Sequence, residues 1–465
     1  MSEVMYTARK TLKQLASGGN MLMIATLFAL IAVNIPATHD LYTWLWTNEV
    51  RLQIGSFNLF SHNGHPMSLA AFINDALMAV FFFSVGLEIK REVLVGELSS
   101  FRKALLPIIG ACGGMIVPVV IYFLLAKGTD YVDGMAIPMA TDIAFSLGVL
   151  SMLGNRVPIG LKIFLTTLAV VDDIGGILVI AIFYTGSINF GMLIAAAVIL
   201  ALLAVCGAWL KIQSKMFYIV FGLAVWFLFL NAGIHPTIAG VLVAFCVPAV
   251  PVHAPAGFIK TIKENISHFA NDEEVDLNSR SIIGKRQMDW LKRIESASDK
   301  VISPLQDLED SLHPLVNYFI LPLFAFANAG IFFGGMSIAD AVSGVSLAII
   351  CGLVLGKFLG IFSFSWFFIK TKIVPMPEGG NWPRMAAVSM LGGIGFTVSI
   401  FIATLSFPEG SQLLNDSKLG ILLGSIIAGI LGYFLLKLTL PKESQDQGED
   451  EATVEVEATV TSEKA

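Results

Sequence analysis

The sequence predicts an all-α polytopic membrane protein with twelve transmembrane helices, inverted-topology repeats in spans 3–5 and 10–12, and two discontinuous helices, spans 4 and 11. Three observations carry this prediction: long apolar runs, a one-sided distribution of basic residues, and helix breakers in the middle of two spans. The chain is 55% hydrophobic and 14% charged, whereas soluble domains are about 25% charged. Apolar runs of about 20 residues match a hydrocarbon core about 30 Å thick. Because these runs are long and do not alternate between apolar and polar residues, a transmembrane β-barrel is disfavoured.

The apolar runs divide the chain into twelve predicted spans. They lie near residues 18–35, 68–88, 104–126, 134–153, 158–185, 190–210, 216–232, 234–250, 314–334, 346–369, 385–406 and 418–438. Spans 1–8 thus occupy residues 18–250, and spans 9–12 occupy residues 314–440.

Lysine and arginine are distributed very unequally between the two sides of the predicted membrane. An even number of spans puts both termini on one side, and that side carries 25 of the 29 basic residues. The opposite side has three, and one lies within a span. Loops rich in Lys and Arg remain in the cytoplasm. The sequence therefore predicts that both termini, residues 1–17 and 441–465, are cytoplasmic.

Three segments outside the spans have patterns of their own. On the outer side, near residues 45–65, the segment "VRLQIGSFNLF" has runs of alternating apolar and polar residues on both sides of Gly55-Ser56. This pattern predicts a small β-hairpin. The cytoplasmic loop 251–313 is long and charged, and the spacing of Met288, Leu291 and Ile294 predicts a surface helix. The tail 441–465 is acidic with few large apolar residues, so we expect it to be disordered.

Residues that could suggest metal or disulfide chemistry have plainer interpretations. The four cysteines fall in apolar runs without a CxxC pair, so we expect them to act as small hydrophobic residues. His62 and His65 in "SHNGHP" could bind a metal, but an exposed turn is the better interpretation. The sequence indicates neither a cofactor nor a nucleic-acid partner.

Five ionisable residues lie away from the ends of the predicted spans: Asp75, Asp142, Asp172, Asp173 and Lys357. Each costs about 2.5–3.5 kcal/mol at the centre of a membrane helix, so such residues are usually functional. A helix cap is the alternative for Asp75 and Asp142. The adjacent aspartates point about 100° apart on a helix. One can therefore line a water-filled cavity while the other pairs with Lys357.

The chemistry of the adjacent aspartates predicts exchange of a cation for protons. Carboxylates, together with hydroxyl and carbonyl oxygens, suit hard cations such as Na⁺ or Li⁺. Protons compete for the same carboxylate oxygens. We therefore predict a cation- and proton-binding site at Asp172 and Asp173.

Two predicted spans contain helix breakers near their centres. Span 4, "GMAIPMATDIAF", has Pro138 and a Thr141-Asp142 capping pair, and span 11, "MLGGIGFTVSI", has three glycines. Each is the middle member of its triplet, which predicts the inverted repeats. Facing half-helix ends leave uncompensated dipoles, and we expect Asp142 to offset the positive N-termini and Lys357 the negative C-termini.

The sequence resembles the NhaA family of Na⁺/H⁺ antiporters from about residue 15 to 440, with an interruption near 253–304. The motifs that carry the resemblance are "INDALMAVFF", "VGLEIKREV", "ATDIAFSLGVL", "LKIFLTTLAVVDDIGG", "GIHPTIAGV", "LHPLVNYFILPLFAFANAG", "GKFLGI" and "GGIGFTVSIFIATL". Broken helices at corresponding positions of two halves indicate an inverted-repeat transporter, a rule for which NhaA is itself an example.

The resemblance implies a function, a location and partners. It implies an electrogenic Na⁺(Li⁺)/H⁺ antiporter that extrudes sodium, is activated at alkaline pH, and serves sodium and pH homeostasis. The transported ions are then Na⁺, Li⁺ and H⁺. The location is a bacterial inner membrane, and the predicted hairpin is the contact of a homodimer.

The resemblance also implies roles for individual residues. Asp173 binds the cation, Asp172 alternates between a proton and the Lys357 pair, and Thr141 and Asp142 belong to the crossing of the broken helices. A pH-sensing cluster near the cytoplasmic side comprises Glu88, Lys90, Arg91, Glu92 and Glu309, and His235 matches a position that affects the pH response.

Other interpretations of these pH-related residues remain open. Without the resemblance, Glu88 to Glu92 could be a solvated helix end, and His235 a helix-start histidine satisfied by the backbone. The segment that interrupts the resemblance, here called the insertion, adjoins Glu309. We therefore expect it to affect the pH at which transport begins more than the transport itself.

Two other functions also place acids inside a membrane. An intramembrane aspartyl protease carries its acids on different helices, in YD and GxGD settings, whereas here the acids are adjacent and "GGIGF" lacks an aspartate. A passive cation channel favours a polar or acid-ringed pore, whereas broken helices and an Asp–Lys pair suit alternating access. We therefore expect a transporter and not an enzyme.

Overall fold

The computed structural model describes residues 18–54, 57–58, 60–62, 65–186, 188–251, 255–270, 285–299, 301–334 and 343–441. The predicted cytoplasmic N-terminus, the turn at Gly55-Ser56 and the predicted disordered tail from residue 442 onward lie outside these ranges. The predictions made for those segments therefore stay predictions.

The described chain is mainly helical. In chain order the helices are α1 (Gly18–Asn34), α2 (Pro36–Thr47), α3 (Leu69–Leu94), α4 (Phe101–Ala126), α5 (Ile143–Ser151), α6 (Ile159–Phe183), α7 (Phe190–Ala208), α8 (Lys215–Ala232), α9 (Thr237–Cys246), α10 (Pro255–Ala270), α11 (Lys285–Asp299), α12 (Pro304–Leu315), α13 (Leu321–Asn328), α14 (Gly344–Lys370), α15 (Trp382–Leu391), α16 (Phe396–Ser406) and α17 (Gln412–Thr439). The 3₁₀ helices are Glu97–Ser99, Val132–Met139 and Gly154–Arg156. Turns of π-helix occupy Ile73–Leu77 in α3, Val316–Ile320 between α12 and α13, and Cys351–Gly356 in α14.

Many of these helices have the length and composition of membrane spans. Within the described ranges, eight helical segments could cross a membrane, or ten if each of two bent pairs forms one span. The bent pairs are α1 with α2, at 112°, and α15 with α16, at 44°. The predicted span 234–250 coincides with the shorter apolar helix α9. The prediction of a helical polytopic membrane protein is confirmed, and the count of twelve stays a prediction.

The loop between α2 and α3 contains short antiparallel strands. They are β1 (Glu49–Val50), β2 (Gln53–Ile54), β3 (Phe57–Asn58), β4 (Ser61–His62) and β5 (His65–Ser68). Strand β2 pairs with β3, with Gln53 opposite Asn58, in the segment where the sequence predicts a hairpin. Strand β5 pairs with both β1 and β4.

Two interrupted helices cross at the centre of the fold. The 3₁₀ helix Val132–Met139 changes to extended backbone before α5 begins, and α15 ends at Leu391 before α16 begins at Phe396. The Asp142 N–H donates to the Ile394 carbonyl at 2.7 Å, which joins the two interruptions. Both lie where the helix breakers of spans 4 and 11 predict them.

Close packing of α4 against α14 depends on two glycines. A Cβ atom at Gly113 would collide with the Gly360 carbonyl oxygen, and one at Gly360 with the Gly113 carbonyl oxygen. Small residues allow membrane helices to approach this closely. Three residues before Gly360, Lys357 starts the segment of α14 that faces the crossing.

The chain that contains the predicted insertion leaves and rejoins the helical bundle at neighbouring points. The Leu305 N–H donates to the Pro248 carbonyl at 3.2 Å, which joins the start of α12 to the chain just after α9. Nearby, Lys215 Nζ lies 2.6 Å from Asp307 Oδ2. Helices α10 and α11 pack against each other within the insertion. The predicted surface helix is α11.

We expect deletion of residues 255–300, with a short Gly-Ser linker in their place, to leave the bundle folded. The base of the insertion is closed by hydrogen bonds and an ion pair that the deletion retains. The melting temperature of the purified protein, measured by thermal denaturation, should change by no more than a few degrees. Gly360→Leu is the destabilised control, because it forces apart α4 and α14. A deletion variant that melts as early as Gly360→Leu would show that the bundle needs the insertion.

Candidate cation site

Asp142 caps the N-termini of two half-helices at once. Its Oδ1 accepts a hydrogen bond from the Phe145 N–H at 3.0 Å, at the start of α5. Its Oδ2 accepts from the Thr397 N–H at 3.0 Å and from Thr397 Oγ1 at 2.7 Å, at the start of α16. A negative group is favourable at a helix N-terminus, because the exposed N–H groups and the helix dipole are positive there. The buried carboxylate therefore compensates both half-helix dipoles, as its sequence context predicts.

Two serines at equivalent positions hydrogen-bond the crossed helices to each other. Ser146, the fourth residue of α5, donates to the Leu391 carbonyl at the end of α15 at 3.2 Å. Ser399, the fourth residue of α16, donates to the Ile137 carbonyl near the end of the first 3₁₀ half-helix at 2.7 Å. Each C-terminal half-helix therefore binds the end of the other interrupted helix. Because lipid offers no hydrogen bonds, such interruptions must be satisfied inside the protein.

Lys357 and Asp172 form a salt bridge in the interior. The Lys357 ammonium contacts Asp172 Oδ2, and both side chains are 0% exposed. Lys357 Nζ also donates to Thr141 Oγ1 at 2.9 Å. The Thr141 hydroxyl lies 2.6 Å from Asp172 Oδ2 and 2.9 Å from the Gly392 carbonyl. Lys357 was expected to offset the C-terminal dipoles directly. Instead its hydrogen bonds go to Asp172 and Thr141, and Thr141 reaches the carbonyl at the end of α15.

Asp173 faces a different environment from its neighbour. It lines a cavity of about 430 Å³, the Asp173 cavity, together with Thr141, Asp142, Glu88 and Glu309. Asp173 Oδ1 is buried and has no hydrogen-bond partner among the described residues. A buried carboxylate oxygen without a partner costs free energy unless a ligand satisfies it. Asp173 therefore has the exposure to a cavity and the free oxygen that a cation ligand needs.

Together, the two aspartates can hold a cation and release protons. Asp172 Oδ1, like Asp173 Oδ1, is buried without a hydrogen-bond partner in the described part of the chain. Both are hard oxygen ligands suited to Na⁺. Asp142 lines the same cavity, but three hydrogen bonds from the starts of α5 and α16 already occupy most of its acceptor positions. The described His, Cys, Asp and Glu side chains form no cluster suited to a resident metal ion.

Arg91 and Glu309 form an ion pair at the mouth of the Asp173 cavity. Arg91 Nε donates to Glu309 Oε1 at 2.8 Å, which links α3 to α12. Burial raises the pKa of Glu309 above its ordinary value, as do the negative charges of Asp310 and Glu92, while the Arg91 charge lowers it. Glu88 lines the same cavity. Two of the three acids of the predicted pH-sensing cluster, Glu88 and Glu309, therefore line the same cavity as Asp173.

Lys90 does not join Arg91 and Glu309 in this cluster. Its Nζ donates to the carbonyls of Phe245, at 2.7 Å, and Val247, at the C-terminus of α9. A lysine at this position satisfies free carbonyls and complements the negative helix end. Glu92 pairs with Arg91 at 3.1 Å and accepts from the Glu97 N–H at 3.0 Å.

Asp75 and His235 lie apart from the Asp173 cavity. Both line a second cavity of about 750 Å³, the Asp75 cavity, near the chain between α8 and α9. Asp75 sits in the π-helical turn of α3, where its carbonyl accepts from Trp226 Nε1 at 3.2 Å. The buried His235 Nε2 has no hydrogen-bond partner among the described residues, and the His235 ring packs on Phe401. Backbone satisfaction of this nitrogen, one interpretation of the sequence, is therefore not found.

Thr397, Ser146 and Ser399 are site residues that the sequence analysis missed. The signal for Thr397 was present, because this hydroxyl residue lies two positions after Gly395, in the first turn of α16, and can approach a carboxylate that caps the same helix end. The two serines occupy the fourth position after each break. Their partners lie about 250 residues away, so only the crossing geometry identifies them.

The chain is similar to a family of known transporters over nearly its whole length. Residues 9–436 match the profile of the family described as Na⁺/H⁺ antiporter 1. A relative from Phocaeicola vulgatus is 55% identical, with 92% of this chain and 94% of the relative covered. Relatives from Bacteroides fragilis and Porphyromonas gingivalis are 53% and 47% identical, with 91% of this chain and 95% and 94% of the relatives covered. All three are named Na⁺/H⁺ antiporter NhaA.

We expect Lys357→Met to destabilise the fold strongly, because it leaves the Asp172 carboxylate buried without its counter-ion. Removing one partner of a buried pair costs about 3–5 kcal/mol. The free energy of unfolding should fall by that order, and part of the loss should return in Lys357→Met/Asp172→Asn, which has no unpaired charge. Lys370→Met, on the exposed end of α14, is the matched control. If Lys357→Met alone is as stable as wild type in thermal denaturation, the buried ion pair is refuted.

Proposed function

Since the chain belongs to the Na⁺/H⁺ antiporter 1 family, we propose that it extrudes Na⁺ or Li⁺ across a bacterial inner membrane in exchange for protons, electrogenically and mainly at alkaline pH. The observation that carries the proposal is the asymmetric pair of adjacent aspartates. Asp172 is bound to Lys357, whereas Asp173 faces a cavity with a free oxygen. The antiporter would thereby serve sodium and pH homeostasis.

The proposed architecture has twelve spans with inverted repeats and two cytoplasmic termini. The 25 basic residues on one predicted side support the orientation. The equivalent bonds of Ser146 and Ser399 support a symmetric relation between the two interrupted helices. The loop that carries β1 to β5 is the proposed contact of a homodimer. In this orientation the Asp173 cavity opens toward the cytoplasm and the Asp75 cavity toward the outside.

The proposed cycle begins when cytoplasmic Na⁺ enters the Asp173 cavity. Na⁺ binds the carboxylates of Asp173 and Asp172 and displaces the protons held by the Asp172–Asp173–Lys357 group. While Na⁺ is bound, it replaces Lys357 as the counter-charge of Asp172. After the site opens to the outside, Na⁺ leaves and two protons bind the group. Lys357 keeps the cation-free site from holding two uncompensated negative charges in a low dielectric.

The proposed exchange moves one net charge. Two protons inward for one Na⁺ outward carry a single positive charge into the cell. An inside-negative potential drives this step by about 2.3 kcal/mol per 100 mV per charge. Na⁺ can thus be expelled against its gradient. Below the pH at which the group releases protons, Na⁺ cannot compete and exchange stops.

We expect Asp173→Asn to abolish Na⁺-driven proton movement, because the amide supplies neither an anionic oxygen nor a titratable proton. The side chains have nearly the same size, so the fold should persist. The measurement is Na⁺-driven proton flux in proteoliposomes that contain a pH-sensitive dye. Asp130→Asn, in the loop after α4, is the control and should retain exchange. If Asp173→Asn exchanges at the wild-type rate, the cation site is assigned wrongly.

Voltage should accelerate the exchange in liposomes that have no other charge pathway. Without compensation, inward charge movement builds an opposing potential, so a clamp with valinomycin and K⁺ should raise the rate severalfold. Asp173→Asn liposomes control for leakage and should not respond. A rate independent of voltage at every pH would establish one-for-one exchange instead.

Glu309→Gln should flatten the acidic side of the pH–rate profile. Burial raises the pKa of Glu309 above its ordinary value, so the carboxylate becomes charged, and pairs with Arg91, at a higher pH than a free glutamate does. Glutamine removes this titration. The same pKa shift affects the stability of the fold. Because the pKa of Glu309 is higher in the folded protein than in the unfolded chain, its protonation stabilises the folded state at low pH. This stabilisation is lost as the pH rises through the folded pKa. Transport and melting temperature should both be measured against pH, with Glu295→Gln on α11 as the control. Unchanged profiles in both measurements would exclude Glu309 as a sensor.

A further inference from the structure

A third concavity, the lateral groove, shares no lining residue with the Asp173 cavity. Its volume is about 780 Å³, and it is lined by α4, the 3₁₀ helix Val132–Met139, α6 and the end of α16. This volume lies within the range of about 300–1,000 Å³ that is typical of ligand pockets. None of the expected transport residues lines it.

The walls and rim of the lateral groove are apolar. Its walls include Val119, Met135 and Val179. On the rim, Ile116 and Val120 of α4 and Leu178 and Phe183 of α6 are between 48% and 61% exposed. Both helices have the length and composition of membrane spans. Their exposed apolar surface therefore faces hydrocarbon, and the groove opens into the bilayer.

The outer end of the lateral groove is polar and acidic. It is formed by Asp133, Tyr184 and Ser406. Tyr184 Oη donates to the Asp133 carbonyl at 3.2 Å and lies 2.8 Å from Ser406 Oγ. The Asp133 side chain is exposed and forms no ion pair with the described residues. A negative charge at the end of an apolar groove, at the level of the bilayer surface, complements a lipid headgroup that carries an ammonium group.

The inner end of the groove reaches the residues that support the cation site. The Met115 thioether lies against Gly175, two residues after Asp173, where a Cβ atom would collide with it. Met139 also lines the groove and ends the 3₁₀ half-helix just before Ala140 and Thr141. An eight-residue 3₁₀ helix is unusually long and poorly hydrogen-bonded. It therefore depends on packing from both sides. On the groove side, Met135 is half-buried, and Ala136 and Met139 at the floor of the groove are each 3% exposed.

We propose that the lateral groove binds one acyl chain of a phospholipid whose headgroup carries a primary ammonium, such as phosphatidylethanolamine, with the ammonium at Asp133. The acyl chain packs on Met135 and Met139 and thereby supports the half-helix that leads to Thr141 and Asp142. Flexible methionines adapt to a chain of variable conformation. Phosphatidylglycerol lacks the cation and places its net negative charge beside Asp133, so it binds more weakly.

Native mass spectrometry of the delipidated full-length protein, titrated with each lipid, tests the proposal. We expect one phosphatidylethanolamine to bind at least tenfold more tightly than phosphatidylglycerol. Val179→Trp fills the groove and should reduce this binding at least tenfold. Val198→Trp, on the lipid-facing surface of α7 at 64% exposure, is the matched control and should bind normally. Asp133→Asn should retain acyl binding and lose the preference between the two headgroups.

A second measurement uses the unaltered protein, so it does not depend on how the variants fold. Phosphatidylethanolamine with a photoreactive acyl chain should cross-link to peptides from α4, α6 and the 3₁₀ helix around Met135. Equal affinity for both lipids, normal binding by Val179→Trp, or cross-links confined to other surfaces would each overturn the proposal. All these measurements are made without an ion gradient. Their outcome is therefore independent of whether the chain exchanges Na⁺ for protons.

Discussion

The need to satisfy helix ends inside a bilayer governs the centre of this protein. Two interrupted helices expose N–H and carbonyl groups at a depth where lipid offers no hydrogen bonds. Asp142 meets the requirement on one side by capping α5 and α16 together. Ser146, Ser399 and Thr141 meet it on the other side through the carbonyls of Leu391, Ile137 and Gly392. The backbone at the crossing is thus polar, irregular and fixed.

A fixed crossing explains how so many charges can share one region. The N-termini of α5 and α16 compensate the charge of Asp142, and Lys357 compensates that of Asp172. Asp173 is the exception, and it faces a cavity. An uncompensated carboxylate inside a membrane is costly, and a cation or a proton removes that cost. In the proposed cycle, the affinity of the site for either ion comes from this same uncompensated charge, so the two ions compete.

Hydropathy and helix breakers predicted the helices and their interruptions. The contacts that they did not predict join residues far apart in the sequence. Apolar runs predicted the helices, and Pro138 and the glycines near Gly393 predicted both interruptions. That Lys357 pairs with one of the two aspartates was predictable, because the predicted spans contain a single lysine away from their ends, whereas the choice of Asp172 came from the family resemblance. The cap from Asp142 to Thr397 joins residues 255 positions apart, so no local pattern reports it. Lys90 was grouped with its charged neighbours, whereas its ammonium donates to carbonyls at the C-terminus of α9, about 155 positions away, which no local pattern reports.

The adjacency of the two aspartates is itself a physical requirement of such a site. Carboxylates four residues apart would lie on one helix face and share one environment. Consecutive residues diverge by about 100°, so α6 can direct Asp172 to Lys357 and Asp173 into the cavity without bending. Their negative charges still remain close enough to interact strongly, since their Cα atoms are about 3.8 Å apart. A single helix thereby couples a carboxylate that lines the cavity to one that is held in an ion pair.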